Sequence, residues 1–320
     1  MSNPPVVVEM IRAGLVESAH RGHAVLLDAD GKIEVSFGES KIPIFPRSAI
    51  KLAQATAMLR SGAKLENEKL AISCASHSGE ELHRELVTKM LKDIGLSPDA
   101  LQCPPDLPLD TATQIEYLSR GMKPERLTMN CSGKHAGMLT ACVENNWSIE
   151  NYLSPEHNLQ KLINETIEDL SGEKIYKSTF DGCGAPLHAV SLIALAKIAQ
   201  NAVLSETSTE QRKVVDAARK FPIHNSGNKR DVAQFMQTVE GFFTKEGAEG
   251  VHVGALSDGR SFAVKFEDGS MRPRAAFVVA VLRYWGIEEN ILEKLSHLEK
   301  TPVLGGGKPV GSMQALPIGR

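Results

Sequence analysis

The sequence predicts an α/β fold: one antiparallel sheet assembled from strands at both ends of the chain and flanked by helices, with a largely helical segment in the middle. Three observations carry this. Short β-branched runs fill the first forty residues, the same pattern returns after residue 249, and the stretch between repeats its apolar residues at helical spacing. The 320 residues read as a single domain, 1–320, with the helical segment (60–245) inserted between the terminal strands.

Val6-Val7-Val8 and Ala24 to Leu27 are compact strand runs. Asp28 to Gly31 supplies a turn, and Ile33, Val35 and Phe37 alternate with polar residues, which makes a hairpin. Ser48 to Leu59 is apolar all round except for Ser48, Lys51, Gln54 and Thr56, and a helix without a polar face belongs inside a domain. Leu70 to Ala75 reads as an apolar strand meeting a turn at Ser76. Ser78-Gly-Glu-Glu81 has capping-box spacing and opens a helix with Leu82, Leu86, Met90 and Ile94 on one stripe and Gly95 as its stop. Ser154-Pro155 opens another, burying Leu159, Leu162, Ile163 and Leu170. Amphipathic stretches cover 186–202, 207–220 and 231–244. Glu249 to Leu256 is a strand, Ser257-Asp-Gly259 turns the chain, and Phe262, Val264 and Phe266 mark the next strand before a helix that follows Pro273.

Composition narrows the function classes. With 36 Lys+Arg against 39 Asp+Glu, a net charge of −3, there is no broad electrostatic case for nucleic acid or an anionic membrane. At 42% hydrophobic and 23% charged residues the chain is not disordered. A chain of this length buries about 75% of its unfolded surface, so it needs no disulfide staples. The longest apolar run, Ala275 to Leu282, falls well short of the roughly 20 residues of a membrane span, and no signal peptide opens the sequence. Five scattered cysteines, an odd number, predict a reducing cytoplasm with free or metal-binding thiols.

Several clusters carry candidate chemistry. In Phe45-Pro-Arg-Ser-Ala-Ile-Lys51, Ser48 and Lys51 share a helix face, and a lysine in an apolar helix takes a serine's proton when its surroundings favour the neutral amine. S-x-x-K marks penicillin-recognising enzymes and related serine amidohydrolases. Cys74-Ala-Ser-His-Ser78 presents Ser76 and His77, with Ser78 as a helix cap. Asn130-Cys-Ser-Gly-Lys-His135 places Lys134 three residues after Cys131; a phosphate loop would need Gly at 128 and Ser or Thr at 135, where the chain has Thr128 and His135. Phe180-Asp-Gly-Cys-Gly-Ala-Pro186 presents Asp181 and Cys183 on one turn, and two thiolates from separate loops make part of a zinc site or simply pack as buried thiols. Neither H-x-E nor P-C-x-x-C is present, which excludes a zinc deaminase.

These blocks occur in one order: Arg12 to Gly22, Arg47 to Lys51, Cys74 to Ser78, Asn130 to His135, Asp181 to Cys183, Ala263 to Gly269 and, more loosely, Gly307 to Gly311. Together the sequence resembles the bacterial asparaginase II family, also called rhizobial-type or class 3 asparaginases. The resemblance implies a fold like that of serine β-lactamases and penicillin-binding proteins, and hydrolysis of L-asparagine to L-aspartate and ammonia, a C–N hydrolase reaction on a linear amide. It implies two serine–lysine pairs, Ser48 with Lys51 and Ser76 with Lys265, and a zinc ion on Cys131, Lys134 and Cys183 that positions substrate rather than activating water. It also implies polar positions at Asp181, Arg47 and Arg230, a homodimer and a small-molecule partner. Where family members commonly carry Val-Ala-Gly ahead of this arginine, the chain has Asn225-Ser-Gly227.

The expected mechanism has Ser48 attack the side-chain amide with neutral Lys51 as base, Ser76 and Lys265 relaying protons, and Arg47 meeting the substrate α-carboxylate. Which serine carries the acyl group stays open. The alternatives are a β-lactamase-like glutaminase or other serine amidohydrolase, although S-D-N and K-T-G are absent, and a non-catalytic amino-acid- or zinc-binding relative.

Overall fold

The β-branched runs of the N-terminus become strands β1 (Val6–Arg12), β2 (Leu15–Leu27) and β3 (Ile33–Phe37) in the computed structural model, which describes residues 3–319. Strands β4 (Pro43–Ile44), β5 (Lys177–Phe180) and β6 (Pro186–Ser191) form a small separate sheet in the order β4-β6-β5. The last third supplies β7 (Phe243–Gly247), β8 (Val251–Ala255), β9 (Ser261–Phe266), β10 (Thr301–Gly305) and β11 (Lys308–Ala315). These join the first three in one eight-stranded antiparallel sheet, β10-β11-β1-β2-β9-β8-β7, with β3 also on β2. The predicted sheet built from both chain ends is therefore present.

Strand β2 serves two halves of that sheet. Residues up to Arg21 pair with β1, and Gly22 to Leu27 pair with β9. The handover falls at Gly22, where a Cβ would lie 3.2 Å from the Lys265 carbonyl and 3.3 Å from the Val7 side chain.

Both faces of the sheet are covered, so its central strands are buried on either side rather than alternating in and out. The helices up to residue 284 are α1 (Lys51–Arg60), α2 (Asn67–Ser73), α3 (Glu81–Asp93), α4 (Thr111–Ser119), α5 (Ser132–Glu144), α6 (Asn158–Ser171), α7 (Leu192–Leu204), α8 (Glu210–Lys220), α9 (Pro222–Asn225), α10 (Asp231–Thr238) and α11 (Arg274–Tyr284). Val25, Leu27, Phe243, Val251, Val253 and Ala263 pack into the core shared with α1, α2, α5, α6, α7 and α8. Ala24, Leu26, Phe262, Val264 and Phe266 pack beneath α11, with Phe235 of α10 alongside. As its sequence requires, α1 is buried from Lys51 through Met58, its polar residues included.

Five local expectations change. Ser154-Pro155 does not open α6, which begins at Asn158 with His157 as its cap, the ring accepting from the Leu159 N–H. Residues 70–75 are not a strand: Leu70, Ala71 and Ile72 belong to α2, a buried helix, and a short apolar run has no periodicity to tell the two apart. Ser78 does not cap α3; the cap position is Glu80, while the Ser78 hydroxyl donates to the Ser226 carbonyl. The buried stripe of α3 is accordingly rotated to His83, Val87, Met90 and Leu91. The stretches at 186–202 and 231–244 each change type, since the first begins as β6 and becomes helical only after Ser191, whose hydroxyl caps α7, and the second stops being helical at Thr238 and re-enters the sheet as β7.

Gly133, whose pairing with Lys134 suggested a phosphate loop, and Gly137 work by being small. A Cβ at Gly133 would sit 2.6 Å from the Ile72 carbonyl oxygen, and one at Gly137 2.5 Å from the Ser73 hydroxyl, so α5 lies directly on α2. Replacing Gly133 by Ala should lower stability by about 1–3 kcal/mol, because the obstructing atom is backbone and the helices must separate. Urea unfolding would read this as a lower midpoint at unchanged slope.

Candidate active site

Three segments distant in sequence meet at one oxygen. The first is the turn Arg47–Ile50 leading into α1. Arg47 adopts φ +53°, a left-handed conformation that costs a non-glycine residue on the order of 1 kcal/mol. Such strain is held at sites where the surrounding structure over-determines the backbone. Ser48 follows it at the cavity wall, and Lys51 opens α1 with 1% of its surface exposed. The second segment is the turn after α2, which carries Ser76. The third is β7, at the edge of the large sheet, which carries Lys245 fully buried. Gly247 allows β7 to close on the first segment: a Cβ there would be 2.2 Å from the Pro46 carbonyl oxygen and 3.2 Å from the Ala49 nitrogen.

At the meeting point, Lys51 Nζ donates to Ser76 Oγ at 3.1 Å, to Cys131 Sγ at 3.1 Å and to the Ala75 carbonyl. Lys245 Nζ donates to the same Ser76 Oγ at 3.1 Å and to its neighbour's carbonyl at 3.3 Å. It also stands 3.0 Å from Glu246 Oε2, an ion pair without hydrogen-bond alignment. The expected pairings are thus redistributed. Lys51 turns to Ser76, and among the described residues the Ser48 hydroxyl has no hydrogen-bond partner.

The second lysine at Ser76 is Lys245 and not Lys265. Lys265 lies on β9 and spends its amine on the carbonyls of Glu249, at 2.7 Å, and Phe266, at 2.6 Å. The sheet order explains this, since β8 and β7 stand between β9 and the Ser48 turn. Lys245 escaped the sequence reading because Phe242-Phe243-Thr244 closed an amphipathic window taken as helix. A signal was present: Lys245-Glu-Gly247 has the K-x-G spacing of a third penicillin-recognition motif, K-T-G, with Glu where that motif has Thr.

The remaining expected residues do converge. A cavity of about 320 Å³ is lined by Arg47, Ser48, Ser76, Cys131, Asp181, Cys183, Arg230 and Glu246, and by Asp106, which the sequence reading did not single out. Arg47 Nε donates to Asp181 Oδ1 at 2.7 Å. Arg230 Nε donates to the Ser226 hydroxyl at 3.1 Å and its Nη2 to Glu246 Oε1 at 2.9 Å, so Ser226, the departure from Val-Ala-Gly, orients this arginine.

Beside the serine, Lys134 Nζ lies 3.1 Å from Cys183 Sγ, and Cys131, the residue ahead of α5, shares a hydrogen bond with Cys183. Among the described residues no three of His, Cys, Asp and Glu form a metal set; the cluster is two thiols and an amine. His135 hydrogen-bonds the Tyr152 hydroxyl through Nδ1 at 2.7 Å, and its ring also interacts with the Cys183 thiol.

Burial and charge set the protonation states. Burial pushes the Lys245 amine down, against the attraction of Glu246. Burial would raise Glu246, but Lys245, Arg230 and Arg274 overcome it and hold the carboxyl far below its ordinary range. The hydrogen bond shared with Cys131 pulls Cys183 strongly towards thiolate, helped by Lys134, while the same bond and then burial push the Cys131 thiol up. Burial works to lower Lys134, and the charges of Cys183 and Cys131 raise it on balance. The other thiols are inert: burial lifts Cys74 and Cys103 to about 11. All five cysteines are buried and free.

The L-asparaginase II family model matches residues 8–315, almost the whole chain. The chain belongs to the L-asparaginase II family. It is thereby an amidohydrolase of the asparaginase type acting on a small-molecule substrate. No curated protein matches the chain. Among solved structures, a protein from Bacteroides dorei DSM 17855 described as a beta-lactamase is similar over 77% of this chain and 84% of its own, at 13% identity and a TM-score of 0.40. Among the described residues no helix is long and apolar enough to cross a membrane.

Around the serine, stacked rings of His77 and His83, 5.0 Å apart, support the turn. Gly79 donates to His77 Nδ1, which leaves Nε2–H to face Ser132 Oγ at 2.8 Å, a neutral ring. Burial holds His77 well below the ordinary histidine range, His83 at about 4 and His252, on β8, at about 3. Unfolded histidines protonate near pH 6.5, so below that pH the unfolded chain takes up protons that the native state refuses. Stability should therefore fall on acidification from about pH 6.5 to pH 4, by up to about 1.4 kcal/mol per pH unit for each ring. Urea titrations at several pH values should give a His83→Gln variant a slope shallower by about one proton.

Proposed function

We propose that this enzyme hydrolyses the side-chain amide of L-asparagine to L-aspartate and ammonia by serine–lysine catalysis. The observation that carries the reading is Ser76 Oγ shared by two buried lysine amines, next to a free Ser48 hydroxyl on the wall of a cavity that also presents arginine. Ser48 Oγ attacks the amide carbon, and its proton passes to Lys51 acting as a neutral amine. The carbonyl oxygen gathers negative charge at the helix start. The Ala49 N–H is committed to the Pro46 carbonyl there, so the N–H of Ser48 is the donor assigned to that charge. Collapse breaks the C–N bond, and the proton returns through Lys51 and Ser76 to the leaving nitrogen, which departs as ammonia. A water molecule then adds to the acyl-Ser48 ester by the same relay and releases the carboxylate. Lys245 stays beside Ser76 as the second member of the relay, and Glu246 balances its charge. Arg230 and Arg47 bind the substrate α-carboxylate.

The two thiols and the amine fit a zinc ion: Cys183 already tends to thiolate, and the donor set of two sulfurs and one nitrogen suits tetrahedral zinc. Cys131, Lys134 and Cys183 would hold it, Lys134 giving up its proton, and the ion would supply positive charge that orients substrate. Cys183→Ala should reduce zinc to below about 0.1 equivalent by elemental analysis, since one of three protein ligands is lost.

The lysine assignment has its own test in ammonia release from L-asparagine. Lys245→Met should lower kcat by about 10²–10⁴, as expected for loss of a proton-transfer group, with Ser48→Ala and Lys51→Met at least as severe. Lys265→Met should stay within about twofold of wild type, because its amine is taken by the Glu249 and Phe266 carbonyls, away from Ser76. Near-wild-type turnover in Lys245→Met would remove Lys245 from the relay.

A further inference from the structure

Three carboxylates line the cavity, and two of them are spent. Asp181 is taken by Arg47 and by the Gly182 N–H, and Glu246 by Arg230 and Lys245. Asp106 differs. Its Oδ1 accepts only the neighbouring Leu107 N–H, at 2.8 Å, and among the described residues its carboxylate has no ion-pair partner. Its backbone is nevertheless fixed. Asp106 and Glu125 exchange two N–H···O=C bonds at 3.1 Å each, and the Thr128 hydroxyl donates to the Asp106 carbonyl. The loop that carries it is seated on Gly79, where a Cβ would meet the Pro108 Cα at 2.9 Å, and on the Ser78 carbonyl, which accepts the Asp110 N–H at 3.1 Å. The residue is thus an exposed, uncompensated anion held on a rigid loop, at the rim of a cavity that Arg47 and Arg230 also line.

We infer that Asp106 binds the α-ammonium of an α-amino-acid amide and thereby selects that class over amides lacking an α-amino group. The inference rests on the amide-hydrolase reading above and adds a recognition element to it. A zwitterion satisfies both kinds of charge at once, its carboxylate at the arginines and the ammonium on the same carbon at Asp106. With the two charges met by different groups in this way the amide can enter in one sense only, because reversal sets carboxylate against Asp106. An amide carrying only the carboxylate leaves Asp106 without its counter-ion.

The test compares wild type with Asp106→Asn, which keeps the shape and the Oδ1 acceptor for Leu107 while removing the charge. The substrates are L-asparagine and succinamate, which differ only in the α-ammonium. Wild type should favour L-asparagine in kcat/KM by about 10- to 100-fold, the worth of a charge-assisted hydrogen bond. In Asp106→Asn that preference should collapse towards unity, through a raised KM for L-asparagine, with succinamate unchanged. A variant that keeps the wild-type preference, or loses both substrates equally, overturns the inference. Calorimetric binding of L-aspartate against succinate to the same two proteins makes the comparison without turnover. Discrimination that is lost in the variant supports Asp106 even if neither amide is hydrolysed, an outcome that would count against the asparaginase reading alone. Discrimination that persists, or that wild type never shows, overturns the role of Asp106.

Discussion

Holding Lys51 and Lys245 at 3.1 Å from one serine oxygen, each with no more than 1% of its surface exposed, is the constraint to which the neighbouring structure answers. Removing an ammonium from water costs several kcal/mol after relaxation, and a second cation nearby adds repulsion. The compensation is specific. Glu246, itself 2% exposed, stands between Lys245 and Arg230, and Lys51 is met by a carbonyl, a hydroxyl and a sulfur. Lys134, the third fully buried lysine of the site, is met by Cys183. Each amine therefore has its own acceptors, while burial, with repulsion from Lys51, still pushes the Lys245 amine down.

Close backbone contacts set these distances. Ser76 follows α2 and Cys131 precedes α5, and the two helices touch through Gly133 on Ile72. That contact places a hydroxyl and a thiol within reach of one lysine from α1. On the other side, Gly247 brings the edge strand onto the carbonyl of Pro46, and so Lys245 onto Ser76 from the opposite direction. Both approaches would be blocked by a methyl group. The placement of both lysines around Ser76 thus depends on two glycines that do not line the cavity.

Much of this was legible in the sequence. The sheet from both chain ends follows from period-two runs at each end, and the buried helix α1 from its lack of a polar face. Ser48, Lys51, Ser76, Cys131, Lys134, Cys183, Asp181, Arg47 and Arg230 do gather around one cavity or directly beneath it. What failed was pairing across long separations. Lys245 and Ser76 are 169 positions apart, and the choice between Lys245 and Lys265 depends on which strand forms the sheet edge, a property of topology that local spacing does not carry. Ser78 failed for a related reason: its capping-box spacing is local, but a long-range acceptor, the Ser226 carbonyl 148 positions away, took its hydroxyl. Asp106 carries no motif at all, and its interest comes from the partner it lacks.

The serine–lysine cluster and the thiol cluster are joined by one atom. Lys51 Nζ touches both Ser76 Oγ and Cys131 Sγ, so the hydrogen bonds of the amine are divided between the serine hydroxyl and a sulfur of the thiol cluster. Cys183 and Lys134 have no such contact with the serine; they meet each other and Cys131. The two cysteines are therefore unequal in this fold, although their thiols lie in one cluster. Groups that share a hydrogen-bond network do not contribute additively, and Cys131 belongs to both networks while Cys183 belongs to one. Altering Cys131 frees a donor on Lys51 and shifts the acceptors available to it. Altering Cys183 leaves the Lys51–Ser76 contact in place. The link runs through the Lys51 amine, which makes the serine cluster and the thiol cluster parts of one arrangement of buried charge.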